Sequence, residues 1–241
     1  MGSRRKSDRD PDVLREIKDL TDGLIEIGIE PIPGTIERFE TYLEVLRSFR
    51  ERVHLLSHKD YERVSRRHFL TSLVAYPYVK DRECICDVGA GAGFPSIPLE
   101  ILVPGMDLVL FESNRKKADF LRHLVERLGL GRVHVVNERA ESHTGKGFDV
   151  VLLRAVGKID KLMKIVNALV LPEGKAIFFK AQDVVAELKR AGPAMKKYGF
   201  TAEIVQMLTP VEKAPMTLVV MRRVPRTGEP ENPSSRWSSG R

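Results

Sequence analysis

The sequence predicts a doubly wound α/β domain with a mostly parallel sheet of seven strands, preceded by a helical extension. Three observations predict it. From Cys84 to Tyr198, short apolar runs alternate with helical patterns, a rhythm that folds into a parallel sheet covered on both faces. Two more apolar runs, Thr201 to Met207 and Met216 to Met221, have no helix between them, only a connection holding Pro210 and Pro215. They should pair antiparallel, which finishes the sheet with an antiparallel edge and makes the last strand the antiparallel one. Before the first strand, residues 11–76 read as helical.

In the extension, Ile36, Phe39, Leu43 and Leu46 form one stripe, widened by Tyr42, Val45 and Phe49. That is a core-facing helix. Asp60 is placed to cap a further helix carrying Val64, Phe69, Leu70 and Leu73. The domain proper is taken as 77–224, behind a helical cap over 11–76. Its first five strands are Cys84 to Val88, Leu108 to Phe111, Val133 to Val136, Val150 to Leu153 and Ala176 to Phe179. Helices fall at Ile97 to Leu102, Arg115 to Leu128, Ile159 to Leu169 and Val184 to Tyr198. Residues 1–10 are basic and polar, and 225–241 are rich in Pro, Ser, Gly and Arg. Both lack an apolar pattern and are read as disordered basic tails.

Bulk properties narrow the function classes. The net charge is +7, but most of the excess sits in the two tails, so charge alone does not mark a nucleic-acid-binding face. No apolar run approaches a membrane span. The N-terminus lacks the apolar segment of a secretory signal, and a cytoplasmic protein without membrane attachment is expected. The two cysteines, Cys84 and Cys86, lack the spacing and partners of a zinc site. They are read as buried thiols on opposite faces of one strand. No histidine pair has metal spacing backed by carboxylates, so no metal is expected. Gly-x-Ser-x-Gly, Walker and Cys–His nucleophile patterns are absent.

The chemistry concentrates in Asp87-Val88-Gly89-Ala90-Gly91-Ala92-Gly93-Phe94. This loop follows a buried strand and opens a helix, the context a nucleotide-binding glycine motif requires. Gly89, Gly91 and Gly93 let the backbone turn sharply and approach a ligand. Asp87, at the strand end, can meet an ammonium or a bound water. Pro95 delays the helix, which widens the loop past Phe94. Glu112 ends the second strand, where an acid can accept from both ribose hydroxyls of an adenosine. A dinucleotide would prefer Gly-x-Gly-x-x-Gly and a free helix N-terminus for its pyrophosphate. S-adenosylmethionine (SAM) has no phosphates and fits this loop better. A glycine turn with no ligand is the plain alternative.

Other candidates end the later strands. Arg139, Ala140 and Glu141 follow the third strand, beside an expected adenine. There Glu141 would accept from the ring's amino group, or these residues are only a solvated helix start. Arg154 follows the fourth strand and Lys180 the fifth. Ligands of such sheets bind at the carboxyl ends of the strands, so both cations should border the cleft. They would hold a phosphate, the SAM carboxylate or the substrate base.

The run from Asp87 through Phe94-Pro95-Ser96-Ile97-Pro98-Leu99 closely resembles the signature of the bacterial glucose-inhibited division protein B family, the small-subunit ribosomal RNA methyltransferases G. Arg115-Lys116-Lys117-Ala118-Asp119-Phe120-Leu121, Arg139-Ala140-Glu141, Arg154-Ala155 and Lys180 match in order. The resemblance implies a Rossmann-like class I SAM-dependent methyltransferase fold with a helical N-terminal cap. It implies methyl transfer to guanine N7 in 16S rRNA, near the decoding region, with 16S rRNA or the small ribosomal subunit as partner. By this match Gly89, Gly91 and Glu112 bind SAM, Ala140 and Glu141 lie near the adenine, and Arg154 and Lys180 line the site. Asp87, Ala90, Gly93, Phe94, Arg139 and Arg154 complete the expected cofactor set, while Arg154 and Lys180 are the residues assigned to catalysis. Four positions depart from the family: Ser57, Thr71 for an Asp, Ser96 for a glycine and Ala181 for a glycine.

Guanine N7 has a lone pair and no proton, so the lack of a candidate general base is consistent with this chemistry. The sulfonium charge passes to the base. Arg154 and Lys180 are therefore better read as anchors for a phosphate or carboxylate than as groups touching the purine. A NAD-dependent oxidoreductase, a non-catalytic RNA- or ribosome-binding protein and a methyltransferase with another substrate are the rivals. A monomer is the expected state.

Overall fold

The computed structural model describes residues 11–145, 147–181 and 184–224. The two tails read as disordered lie outside them. One seven-stranded sheet runs in the order β3-β2-β1-β4-β5-β7-β6. The parallel strands are β1 (Cys84–Val88), β2 (Asp107–Phe111), β3 (Val133–Val136), β4 (Phe148–Arg154) and β5 (Val170–Lys180). The last two are β6 (Phe200–Leu208) and β7 (Pro215–Arg223).

β7 pairs antiparallel with both β5 and β6, so the antiparallel strand lies inside the sheet, not at the expected edge. Composition explains the order. Met216 through Met221 are all buried, whereas β6 exposes Thr201, Glu203 and Gln206. An edge strand tolerates polar side chains that an interior strand cannot solvate.

Alternate residues of each strand face opposite layers. Ile85, Leu108, Leu110, Val150, Leu152 and Ile177 face one apolar cluster. Cys84, Cys86, Val109, Val151 and Phe178 face the other. Cys84 and Cys86 thus share a face, as residues two apart on a strand must, and the expected opposite-face placement is wrong. Both remain free, buried thiols.

The second layer is covered by α6 (Ile159–Leu169) and α7 (Val185–Tyr198). The first is covered by α4 (Ser96–Leu102), α5 (Arg115–Leu128) and the N-terminal helices. Asn114 caps α5 by accepting from the Lys117 N–H at 3.2 Å, and Gly129 ends it in a left-handed conformation. That start and stop follow ordinary capping chemistry.

The N-terminal helices are α1 (Pro11–Glu26), α2 (Pro33–Phe49) and a π-helical turn, Ser65–Phe69, that runs into α3 (Leu70–Leu73). Leu20, Phe39, Tyr42, Leu46 and Phe69 belong to the same apolar cluster as the sheet's inner face. Polar ties reinforce the packing. Arg66 makes a two-pronged pair with Asp19 at 2.7 and 2.6 Å. Glu26 pairs with Lys213 and accepts from the Val211 N–H, binding α1 to the β6–β7 turn. Asp60 does not cap the third helical run. Its carboxylate accepts from Ser57 at 2.6 Å and from Arg67 at 3.4 Å, because Asp60 opens a separate 3-10 turn, Asp60–Glu62.

The strand order reverses between β1 and β4. In open α/β sheets that switch point opens a crevice at the strands' carboxyl ends. The glycine loop lies there.

Candidate active site

Gly89, Gly91 and Gly93 all have left-handed backbones, with φ of +71°, +57° and +92°. The N–H groups of Gly89 and Ala90 donate to the Phe111 carbonyl at 2.9 and 3.0 Å, which folds the loop over the end of β2. A Cβ on Gly89 would lie 2.7 Å from Val156, and one on Gly93 would lie 2.5 Å from the Tyr42 hydroxyl oxygen. At Gly91 the nearest atom would be a backbone oxygen at 3.7 Å. The loop is therefore pinned on two sides and open at Gly91.

Glu112 borders that opening. Its carboxylate accepts from the Gly91 N–H at 2.9 Å and from the Asn114 N–H at 2.7 Å. Each carboxylate oxygen has a further lone pair, so the group can hold the loop and still accept from a diol. Asp87 is buried beneath. It accepts from the Ser96 hydroxyl at 2.6 Å, while its other oxygen, Oδ1, has no partner among the described residues. Burial pushes the Asp87 carboxyl up to about 7, against the Ser96 hydrogen bonds and the Arg154 charge. Open space at Gly91, the Glu112 carboxylate and an orphaned buried oxygen at Asp87 suit a ligand with hydroxyls and an ammonium. These residues fit SAM.

The remaining expected cofactor residues divide. Ala140 is buried at the foot of a 3-10 turn, Ala140–Ser142, whereas Arg139 and Glu141 are exposed. Phe94 turns away from the loop. Its ring stacks on His68, with centroids 4.8 Å apart, and on Tyr42 at 5.5 Å.

The two strand-end cations reach the cleft but have other partners. Arg154 donates to the Arg67 carbonyl and the Thr71 hydroxyl at 2.9 Å, and to the Ser72 hydroxyl at 3.0 Å. Its guanidinium thus holds the end of the π-helical turn, and burial pulls it down to about 10. Lys180 donates to the Gly157 carbonyl at 2.7 Å and pairs with Glu187 at 2.8 Å. Both line the cavity, with part of their donor capacity already engaged. The donors already engaged go to protein acceptors, those of Arg154 to the cap and those of Lys180 to Gly157 in the β4–α6 loop and Glu187 in α7.

A cavity of about 550 Å³ lies beside them, within the usual range of small-ligand sites. Leu153, Val156, Phe179 and Met216 supply apolar wall, and Asp60 and Glu212 supply carboxylates. Val156 separates it from Gly89, so the loop and the cavity share a wall. Ala155, between Arg154 and Val156, has a φ of +57°, a strained conformation for a residue with a Cβ.

Two residues of this site escaped the sequence reading. Tyr42 looked like one more member of an apolar stripe, yet its hydroxyl donates to the Ala92 carbonyl at 2.6 Å. His68 enters the sequence reading only as one of the histidines without metal spacing. It lines the cavity, and burial, then the Arg154 charge, holds it neutral, with its pKa lowered to about 3. Arg154 approaches its Nδ1 at 3.4 Å. A guanidinium only donates, so Nδ1 carries the lone pair and Nε2 the hydrogen.

The family model of rRNA small subunit methyltransferase G matches residues 35–214. The chain belongs to this family. It is 32% identical to the ribosomal RNA small subunit methyltransferase G of Bacillus subtilis over 219 residues, 88% of this chain and 92% of that one. It is 35% identical to the protein of that name from Listeria welshimeri over 213 residues, 85% and 89% of the two chains. Among solved structures, a SAM-dependent O-methyltransferase from Thermotoga maritima superposes with a TM-score of 0.52 at 15% identity, covering 78% of this chain and 73% of that one. M. jannaschii TYW2 in complex with AdoMet gives 0.51 at 16% identity, covering 63% and 74%. Both share the fold, a Rossmann-like methyltransferase sheet.

Membership of the methyltransferase G family gives the four departures a structural meaning. Ser96 supplies the hydroxyl that Asp87 accepts from. Ser57 donates to Asp60. Thr71 accepts from Arg154 where the family pattern has an acid. Ala181 lines the cavity, as Thr71 does. Thr71 and Ala181 thus fall on the cavity side, while Ser96 lies under the glycine loop. Among the described residues no group of three His, Cys, Asp or Glu side chains is placed to hold a metal ion. No helix there is long and apolar enough to cross a membrane.

Proposed function

We propose that this chain transfers the methyl group of SAM to N7 of a guanine in 16S rRNA, near the decoding region. Family membership supports the reading, and one observation carries it for this chain. The Glu112 carboxylate, hydrogen-bonded to the Gly91 N–H, stands at the open side of the glycine loop, which shares the Val156 wall with a cavity roomy enough for a base. SAM would lie against Gly89, Ala90, Gly91 and Gly93, with its ribose on Glu112 and its adenine toward Ala140. It supplies an electrophilic methyl on a sulfonium.

The chain's own contribution is positional. N7 attacks through a lone pair that needs no base, so the residues have to desolvate it and align it. Holding two reactants in line can supply ~7–11 kcal/mol of a barrier. Leu153, Val156 and Phe179 give the cavity an apolar wall that excludes water. Arg154 and Lys180 act as positioning residues: they keep the cap and the β4–α6 loop in place, with their charges drawn onto protein oxygens at the cavity wall. In this account residues 11–76 are a cap that closes the cavity over a domain spanning 77–224. The substrate is the 16S rRNA or the small subunit, and the protein works as a cytoplasmic monomer.

The decisive experiment is transfer of labelled methyl from SAM to small-subunit RNA, free or assembled, with mapping of the modified nucleotide. N7-methylguanosine at one position is the expected product. Label on another atom, or on no RNA, overturns the proposal. Calorimetric titration with SAM and NAD tests the cofactor separately, and Glu112→Ala should weaken SAM binding at least tenfold.

A further inference from the structure

The cavity beside the glycine loop carries two carboxylates, and they differ in how fully they are used. Asp60 accepts from Ser57 through Oδ2 at 2.6 Å and from Arg67 through Oδ1 at 3.4 Å, and Oδ1 also faces His68 Nε2 at 3.9 Å. Both its oxygens are engaged. Among the described residues Glu212, in the β6–β7 turn, has only long ion pairs: Oε1 lies 3.7 Å from Arg63 and 3.6 Å from Arg67. Neither distance is a hydrogen bond. The Glu212 side chain is 17% exposed and lines the cavity, so its carboxylate is open to whatever enters there. A carboxylate held near a cavity with unused acceptor capacity suits a ligand edge that presents donors.

The two purines differ in that edge. Guanine offers an N1–H and a 2-amino group side by side. Adenine offers an acceptor at N1 and a C–H at position 2. A carboxylate accepts from both guanine donors at once and repels the adenine N1 lone pair. We infer that Glu212 reads the Watson–Crick edge of the acceptor base in this cavity and is the residue that selects guanine. Its charge also opposes the positive charge that N7 methylation leaves on the ring. Arg63 and Arg67, half exposed at the rim, are then the cations that face the incoming RNA backbone. The inference rests on the guanine reading above and adds the residue that enforces it.

The test begins by mapping the methylated nucleotide with the full chain. A product other than N7-methylguanosine overturns the guanine reading, and this inference falls with it. With that position known, small-subunit RNA is made with guanosine or inosine there. Inosine keeps N1–H and N7 and lacks the 2-amino group. Losing one hydrogen bond to a charged acceptor should lower kcat/KM for inosine by roughly 10- to 100-fold in the wild type. Glu212→Gln should lose a similar factor on guanosine and bring the guanosine-to-inosine ratio close to one, with SAM affinity unchanged. Glu212→Asp keeps the charge and should retain part of the preference, and it replaces Gln if that variant does not fold. A wild type that treats inosine and guanosine alike overturns the inference. So does a variant that keeps the full wild-type preference.

Discussion

The Tyr42 hydroxyl donates a 2.6 Å hydrogen bond to the Ala92 carbonyl, so α2 of the cap holds the glycine loop directly. The contact is fully buried, and burial raises the Tyr42 hydroxyl well above its ordinary pKa; it stays a donor at any working pH. Tyr42→Phe leaves the Ala92 carbonyl without this partner, which should cost about 1–3 kcal/mol. A lower Tm and SAM affinity reduced several-fold are expected. Unchanged SAM affinity would separate the cap from cofactor binding.

Gly93 packs under the same hydroxyl. Gly93→Ala meets both a left-handed backbone and the Tyr42 oxygen, and should lose SAM binding and several degrees of Tm. In the double variant with Tyr42→Phe, the clash with oxygen disappears while the backbone strain remains. The two substitutions should therefore be less than additive. Strict additivity in a double-mutant cycle would show that no clash exists.

Arg154 ties the end of β4 to three acceptors in the cap. Lysine cannot reproduce that fork. Both Arg154→Lys and Arg154→Ala should speed hydrogen exchange between Arg67 and Ser72, with alanine the more destabilising by leaving buried acceptors unpaired. Turnover should fall more than SAM affinity. If the exchange rates of that segment do not move, Arg154 is not the tether.

Two buried groups set opposite pH dependences. His68 has a folded pKa near 3 against an ordinary 6.5. The unfolded chain takes up its proton first as pH falls, so stability present above 6.5 is lost on the way down toward 3. Asp87 has a folded pKa near 7 against an ordinary 3.8. Its contribution is full below 3.8 and is lost as pH rises toward 7. Denaturant unfolding across pH 4–8 should show His68→Phe losing less stability in acid than the wild type, and Asp87→Asn losing less toward neutrality. Profiles parallel to the wild type would contradict both assignments.

Most of the fold was legible because its signals are local. Apolar runs broken by helical spacing marked all seven strands, and the glycine loop and Glu112 stood out at the ends of β1 and β2. Side-chain partners were not legible. Arg154 and Lys180 read as free cations at strand ends, since strand position says where a residue emerges and not which carbonyls come within reach of it. Phe94 read as part of the loop's ligand face, yet its ring stacks on the cap.

The sequence by itself determined the family resemblance, the sheet, the glycine turn after β1 and the carboxylate that follows β2, because spacing along one chain encodes them. Only the tertiary structure decided that β7 inserts between β5 and β6, that Tyr42 and Arg154 bind cap to sheet, and that Glu212 comes to the cavity where Asp60 is already satisfied. Those relations join residues far apart in the chain. They arise from which strand can be buried and which donor finds an acceptor, and that competition is settled only when the layers pack.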